Sequence, residues 1–475
     1  MATTWMSSWP GSAGVRRFLA GVLATGASLG SLSDSLDAQR SEPVAVGKHY
    51  LTPAVEIVSF DLLLNIFDRL ILGAEYRSNL TTIRRNLRGG WSVEDDPYVI
   101  NQLGHPYQGS MYHGFARSAG LNYWEALGYT IAASAMWEIA GEATPPSRND
   151  MIATGIGGTF LGEALYRMAS LLLENADGRP GTRRTTAAAL LSPTNSFNRG
   201  IFGRRHDSLF PSNGAAYYRR FQLGAAGTTE DVRGPATKLR PNEAMLEASM
   251  EYGLPGPADY AYSRPFDHFA VQATASSANG FESALIRGLL VGDRHDIRDA
   301  YRGVWGLYGS FDYIAPQIFR ISSTALSLGT AGQLWISDQI ALQTNGMIGA
   351  GFAAVGTING SEDSSSYHYG ITPQALAAAR LILGNKASID VTAREYFVSD
   401  VPATNTPGHD NIGRVDASLT LRLHRSNAIT IKYLWSRRDA FYPEIGRRTQ
   451  VRGTLGLMYT FLGHDRFGAV DWRER

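Results

Sequence analysis

The 475-residue chain contains no cysteine, which excludes disulfides and thiolate metal sites and is consistent with a protein exposed to the periplasm. It also lacks any surplus of charge: 44 basic against 43 acidic residues leave a formal net charge of +1. No basic footprint for a phosphate backbone exists, so nucleic acid is set aside as a partner. Past the N-terminal region there is no run of about 18 uncharged apolar residues, and no transmembrane helix is expected. Two hydrolase signatures, H-E-x-x-H and G-x-S-x-G, are missing past the first 38 residues. The stretch Gly155-Ile156-Gly157-Gly158 is no nucleotide loop, because it lacks a preceding strand and a third glycine at the right place. What the chain does have is glycine and aromatics: Gly 51, Tyr 22 and Trp 9. Such enrichment accompanies the aromatic girdles of membrane barrels.

Strand periodicity dominates the C-terminal half. In the last strand-like run, Val451, Leu455, Leu457, Tyr459 and Phe461 share one face, while Arg452, Thr454, Met458 and Thr460 share the other. One face suits lipid and the other a lumen. Ala387 to Val398 repeats the pattern, with Ile389, Val391 and Phe397 opposite Asp390, Thr392 and Arg394. Val415 to His424 does so again, followed by a tight hairpin through Arg425-Ser426-Asn427. Long strands end in aromatics: Trp305 and Tyr313, Trp335, Phe397, Tyr433 and Trp435, Tyr459 and Phe461. A soluble periplasmic β-sandwich also alternates and stands as a further reading, but such rings belong at a membrane-water interface. The pattern predicts a mainly β fold, a transmembrane outer-membrane β-barrel of about 12 antiparallel strands between residues 215 and 461, with a tail from 462 to 475. The spacing of Thr454, Gly456, Tyr459 and Phe461 resembles the signal read by the barrel-assembly machinery, and outer-membrane lipid is the other partner expected.

Residues 1–38 read as a cleaved export signal, with Arg16 and Arg17 before a weakly apolar run and cleavage after Ala38. Residues 39–175 read as a helical block. A helix is expected over residues 51–72, an ordered loop region between Tyr76 and Tyr112, a second helix from Asn122 to Glu142, and a third from about Asp150 to Glu174 capped by Ser147 or Asn149. Glycines 155, 157, 158 and 162 in the third helix predict close packing. Residues 176–214, dense in Arg, Gly, Pro, Ser and Asn, read as a linker.

The helical block holds the unusual residues. Asn101, Gly104-His105-Pro106-Tyr107, Gly109-Ser110, Ala116-Arg117, Gly120, Trp137-Glu138, Glu142, Pro146-Ser147, Asn149-Asp150, Gly157-Gly158, Gly162-Glu163 and Tyr166-Arg167 stand in fixed order. This block resembles the bacterial domain-of-unknown-function family 3943 over residues 80 to 175, with a weaker echo at Ser192-Pro193 and Phe197 to Gly200. The resemblance implies an exported protein whose helical block precedes a barrel, and it brings no activity with it.

Two readings of these residues stand side by side. His105, Glu138, Glu142 and Asp150 are catalytic candidates, since carboxylates beside a histidine serve general acid-base chemistry or hold a metal, whose identity is unknown. Glu138 and Glu142, four apart, would share a helix face. Arg117 and Arg167 are candidate anion-binding groups. The alternative is structural: Glu163 with Arg167 forms an i, i+4 salt bridge, Asp150 a helix-start charge, and Arg117 pairs with Glu138 or Glu142. Ser418, His424 and His268 fit an outer-membrane hydrolase less well, because Ser418 and His424 lie six residues apart on one strand. The preferred reading is an outer-membrane barrel with a structural, binding or transport role, its helical block against or within the periplasmic opening. The alternative is a hydrolase of lipid or envelope polymer. No cofactor is implied.

Overall fold

The computed structural model describes residues 47–472 apart from 72–75, 95, 175–179, 204–209, 233–238, 258, 299, 357–366, 400–407, 444–445 and 464–465. The export-signal expectation for residues 1–38 lies outside the described residues. The chain forms two compact units, residues 47–94 with 104–211, and residues 96–103 with 212–472.

The second unit is a closed antiparallel barrel of twelve strands. They are β1 (Tyr217–Val232), β2 (Asn242–Tyr252), β3 (Phe269–Ser276), β4 (Ser283–Ile297), β5 (Tyr301–Ile314) and β6 (Arg320–Ser337). The ring continues with β7 (Ile340–Gly356), β8 (Tyr367–Leu383), β9 (Ala387–Val398), β10 (His409–His424), β11 (Asn427–Tyr442) and β12 (Gly446–Leu462). Each strand pairs with its sequence neighbours, and β12 closes on β1 with Phe221 opposite Phe461 and Ala226 opposite Gly456. Closure leaves no sheet edge unpaired, which a bilayer demands of any β structure that crosses it. The turn at Arg425 takes a left-handed φ of 48°, which lets β10 and β11 join through two residues.

Alternation sorts the wall into two faces. Leu223, Ile348, Ile371, Ile389, Leu457 and Tyr459 are exposed outside, while Arg394, Thr420, Lys432, Arg452 and Thr460 are buried inside. Three residues assigned outward from sequence are covered. Val451 is buried, and so is Tyr313, which packs against Tyr98 at a ring distance of 6.0 Å. Residues 96–103 belong to this unit and cover part of the outer wall, where Tyr98 meets Tyr367 edge-on at 5.1 Å and Asn101 donates to the Tyr367 hydroxyl at 2.9 Å. Trp335 points inward and donates its indole N–H to the Asp471 carbonyl at 3.1 Å. A ring at a strand end satisfies the girdle pattern equally well facing either way when local chain covers it.

The lumen is filled at both ends by apolar chain. At the end holding the short turns, Phe467 and Val470 of the C-terminal tail cluster with Leu254, Tyr218, Trp335, Ile382 and Leu462. At the other end, Ile318 and Phe319 of the β5–β6 loop cluster with Leu285, Val355, Tyr396 and Ile412. Those partners come from strands on opposite sides of the ring, so the clusters form across the lumen.

The first unit is helical: α1 (Leu51–Ile71), α2 (Leu80–Arg88), α3 (His105–Ser118), α4 (Tyr123–Met136), α5 (Gly158–Leu173), α6 (Thr182–Leu191) and α7 (Pro193–Phe202). Helices α2 and α3 replace the loop expected between Tyr76 and Tyr112. Pro106 stands in the first turn of α3, where its missing N–H costs no hydrogen bond. Helices α6 and α7 occupy the stretch read as linker, burying Ala187, Ala188, Leu191, Asn195 and Asn198. Asn198 is held by the Ser118 hydroxyl at 2.7 Å, so the polar composition that looks like a connector is consumed in packing. Helix α4 is capped by Asn122 with Glu125 as expected. Helix α1 is amphipathic in the inverse sense: Asp61, Asn65 and Asp68 are buried, while Leu62, Leu63, Ile66, Phe67 and Leu70 are exposed. Burial raises the Asp61 carboxyl to about 7, against the hydrogen bond from the Tyr112 hydroxyl.

Candidate functional sites

In the helical unit, α3 and α5 touch backbone to backbone. A Cβ added at Gly158 would stand 2.6 Å from the Gly109 Cα, and one at Gly162 would stand 2.9 Å from the His113 Cβ. Only glycine permits this crossing. The close approach brings His113 and Arg117, one turn apart on α3, against Glu163 and Arg167, one turn apart on α5. Glu163 is fully buried and accepts from Arg117 Nε at 2.7 Å, Arg167 Nε at 2.9 Å and His113 Nε2 at 3.0 Å. The guanidinium of Arg117 lies 4.8 Å from the Tyr166 ring centre, and that of Arg167 lies 3.6 Å from Phe210. Burial alone would raise the Glu163 carboxyl; Arg117, His113 and Arg167 outweigh it and hold the group well below the usual carboxylate range. Burial lowers the His113 pKa against the pull of Glu163, so the ring is neutral at pH 7 and donates through Nε2.

A second cluster lies behind α4. Residues 92–94 run beside 146–149: Ser92 N–H donates to the Pro146 carbonyl and Arg148 N–H to the Ser92 carbonyl, both at 2.9 Å. This places Glu94 beside Glu138 and Glu142, with one carboxylate oxygen from each within 4.8 Å of the others. Glu138 accepts from Ser147 N–H at 2.8 Å, and Glu142 accepts from the Trp137 indole at 2.7 Å. The Glu138 carboxyl is pushed up to about 10 by burial first, then by Glu142 and Asp150, against the Ser147 hydrogen bond. It is therefore protonated at pH 7, and the crowding of negative charge is relieved by a proton.

Of the residues singled out from sequence, Glu138 and Glu142 do meet, but by a different route. The helix loosens into a π turn at Trp137–Gly141, and Glu142 itself is extended, with φ −114° and ψ 151°. His105 stands apart from this pair: its Nδ1 contacts the Thr154 hydroxyl at 3.1 Å and its Nε2 lies 3.8 Å from Asp150. Asp150 accepts from the Asn149 amide at 3.1 Å, and its N–H donates to the Ser147 cap at 3.2 Å. Arg117 pairs with Glu163, not with Glu138 or Glu142, because the glycine crossing turns it toward α5. Arg167 makes the expected pair with Glu163. Glu94 was missed by sequence reasoning, since only the parallel pairing with residues 146–149 carries it into the cluster. Ser418 lines the lumen whereas His424 is exposed at the hairpin, so these two do not assemble.

The lumen holds a third group of charges. Arg380 on β8 bonds Glu251 on β2 at 2.9 Å, directly across the ring, and Asp390 on β9 at 2.5 Å. Arg220 on β1 reaches Asp390 at 3.1 Å, and Lys432 on β11 reaches Glu247 on β2 at 2.6 Å and Asp416 at 3.0 Å. Arg380 also donates to Gln343 at 3.1 Å, and Gln343 donates to the Gly468 carbonyl of the tail at 2.8 Å. The strand alternation had already put Asp390, Arg394 and Arg452 on the inner face; their partners across the ring are set by closure alone. A cavity remains between them.

Residues 90–194 match the family described as Domain of unknown function (DUF3943), and that span contains every helical-unit residue discussed above from Ser92 to Arg167. No curated protein matches the chain. Among solved structures, the chain is similar to an outer membrane channel from Pseudomonas putida F1, at 11% identity and TM-score 0.27 over 52% of this chain and 95% of that one. It is also similar to the outer membrane channel DcaP of Acinetobacter baumannii, at 7% identity and TM-score 0.25 over 52% and 96%. The KdgM porin gives 7% identity and TM-score 0.24 over 51% and 99%.

Proposed function

We propose that this protein is an exported outer-membrane barrel that binds or passes small charged solutes through its lumen. The observation that carries this reading is the two-faced wall: a closed twelve-strand sheet with apolar side chains outside and a charged, partly hollow interior. An aqueous solvent on both sides would leave the outer leucines and isoleucines without cover, whereas hydrocarbon outside and water inside satisfy both faces. In this reading the cross-lumen pairs of Arg380 and Lys432 narrow the path, and the tail and the β5–β6 loop stand at its two ends. Export by the N-terminal signal and docking to the assembly machinery through Thr454, Gly456, Tyr459 and Phe461 complete the proposal.

In the helical unit, the Glu163 hub serves as an internal brace: its carboxylate is saturated by three donors, so neither Arg117 nor Arg167 is left to grip a ligand. The test is extraction of the full chain. It is expected to fractionate with the outer membrane, to need detergent, and to conduct ions when reconstituted into planar bilayers. Release into the soluble periplasmic fraction would refute the barrel's placement, and full insertion with silent bilayers would refute passage of ions.

A further inference from the structure

Arg394 breaks the pairing that governs the rest of the lumen. It projects inward from β9, is 7% exposed, and among the described residues makes no hydrogen bond or ion pair; its Nε is a buried donor with no acceptor. The other cations of the same cavity all have carboxylates: Arg220 and Arg380 hold Asp390, Lys432 holds Glu247 and Asp416, and Arg287 holds Asp312 at 3.3 Å. Its cross-strand neighbour makes matters worse, because Arg414 stands directly opposite on β10. A buried guanidinium without a direct acceptor is unfavourable. No fold gains from keeping one on a cavity wall unless something negative comes to it.

A second orphan points into the same space. Tyr308, fully buried on β5, has a hydroxyl with no partner, and it lines a small cavity together with Arg394, Arg287, Ser310, Ser327 and Gln374. This cavity shares Arg287, Leu376 and Arg394 with the larger one lined by Arg220, Arg380, Asp390 and Lys432. A guanidinium, a phenol and two serine hydroxyls all offer protons, and the only carboxylate in that lining, Asp312, is already held by Arg287 and by the Tyr396 hydroxyl at 2.8 Å.

We propose that Arg394, with Tyr308 and Arg287, forms an oxyanion-binding site inside the barrel, taking a small solute through a carboxylate or phosphate group. The planar fork of arginine matches two oxygens of such a group, and the phenol supplies a third donor. This deepens the reading of the barrel as a solute-binding or solute-passing protein and rests on it for the ligand's route, while the site itself rests on Arg394 and Tyr308.

The experiment is titration calorimetry on the full chain in detergent micelles, with succinate in one arm and inorganic phosphate in the other, against sodium chloride at matched ionic strength. Saturable binding near one equivalent is expected in at least one arm, and the stronger arm identifies the group carried. Arg394→Gln is expected to weaken it by roughly tenfold or more, and Arg394→Lys by less, since charge is kept and the fork is lost. Should the Arg394 variants fail to assemble, Tyr308→Phe removes only the third donor and is expected to weaken binding several-fold. Absence of binding in both arms, or affinity unchanged in Arg394→Gln and Tyr308→Phe, overturns the site. If the chain inserts and conducts yet binds neither anion, the site falls and the barrel reading stands. If it binds but fractionates as a soluble protein, the barrel reading falls and the site stands.

Discussion

Replacing Glu163 by Gln tests whether the helical unit is braced as described. The substitution keeps size and shape but removes the negative charge that Arg117, Arg167 and His113 share, all within 3.0 Å. Both guanidiniums stay buried, and the new amide turns an N–H₂ toward at least one of them. Breaking a buried pair by removing one partner costs about 3–5 kcal/mol. At 1.4 kcal/mol per tenfold, that corresponds to about two to three and a half orders of magnitude in local opening. A global melt would be dominated by the barrel, so the assay is amide hydrogen exchange in the intact protein, read on peptides covering α3 and α5. Their protection is expected to fall by a factor of about 100 or more, while peptides from β10 and β11 stay unchanged. Unchanged protection in α3 and α5 would refute the brace. Acid gives a second arm. Because the folded Glu163 pKa lies below its ordinary value of 4.5, its contribution is present above that value and fades as pH falls below it toward the depressed folded value. Wild-type protection in α3 and α5 should therefore drop in acid, and the Gln variant should show little such slope.

Glu138→Gln is expected to behave oppositely: at pH 7 the carboxyl must take up a proton on folding whereas the amide need not, so protection in α4 should rise rather than fall there. A folded pKa raised to about 10 means its stabilising effect is present below pH 4.5 and is lost as pH rises toward 10, a slope that Gln should abolish. Gly109→Ala places a methyl 1.9 Å from the Thr154 carbonyl and is expected to cost about 2 kcal/mol or more in the same exchange assay; a neutral result would mean α3 and α5 can separate freely. Truncation after Gly463 removes Phe467 and Val470 from the lumen and is expected to raise single-channel conductance in planar bilayers, whereas unchanged conductance would show that the tail does not limit the path.

The sequence by itself determined the wall. Period-two alternation is local, so Ile389 and Val391 against Asp390 and Arg394 could be assigned to faces from their spacing, and the strand number and the Arg425 hairpin followed from turns a few residues long. Helix caps such as Asn122 and Ser147 were legible for the same reason. What needed the tertiary structure was every feature built from residues far apart in the chain. The glycines of α5 announced close packing, but only the crossing with α3 decided that Arg117 would meet Glu163. Pairing of residues 92–94 with 146–149 decided that Glu94 would join Glu138 and Glu142. The burial of Asp61 on α1 reversed the face that periodicity alone would bury, because periodicity locates a stripe without saying which side meets the core. Ring closure decided that Arg380 would face Glu251 and that Arg394 would make no ion pair with any carboxylate around it, since the distance across a barrel depends on all twelve strands at once.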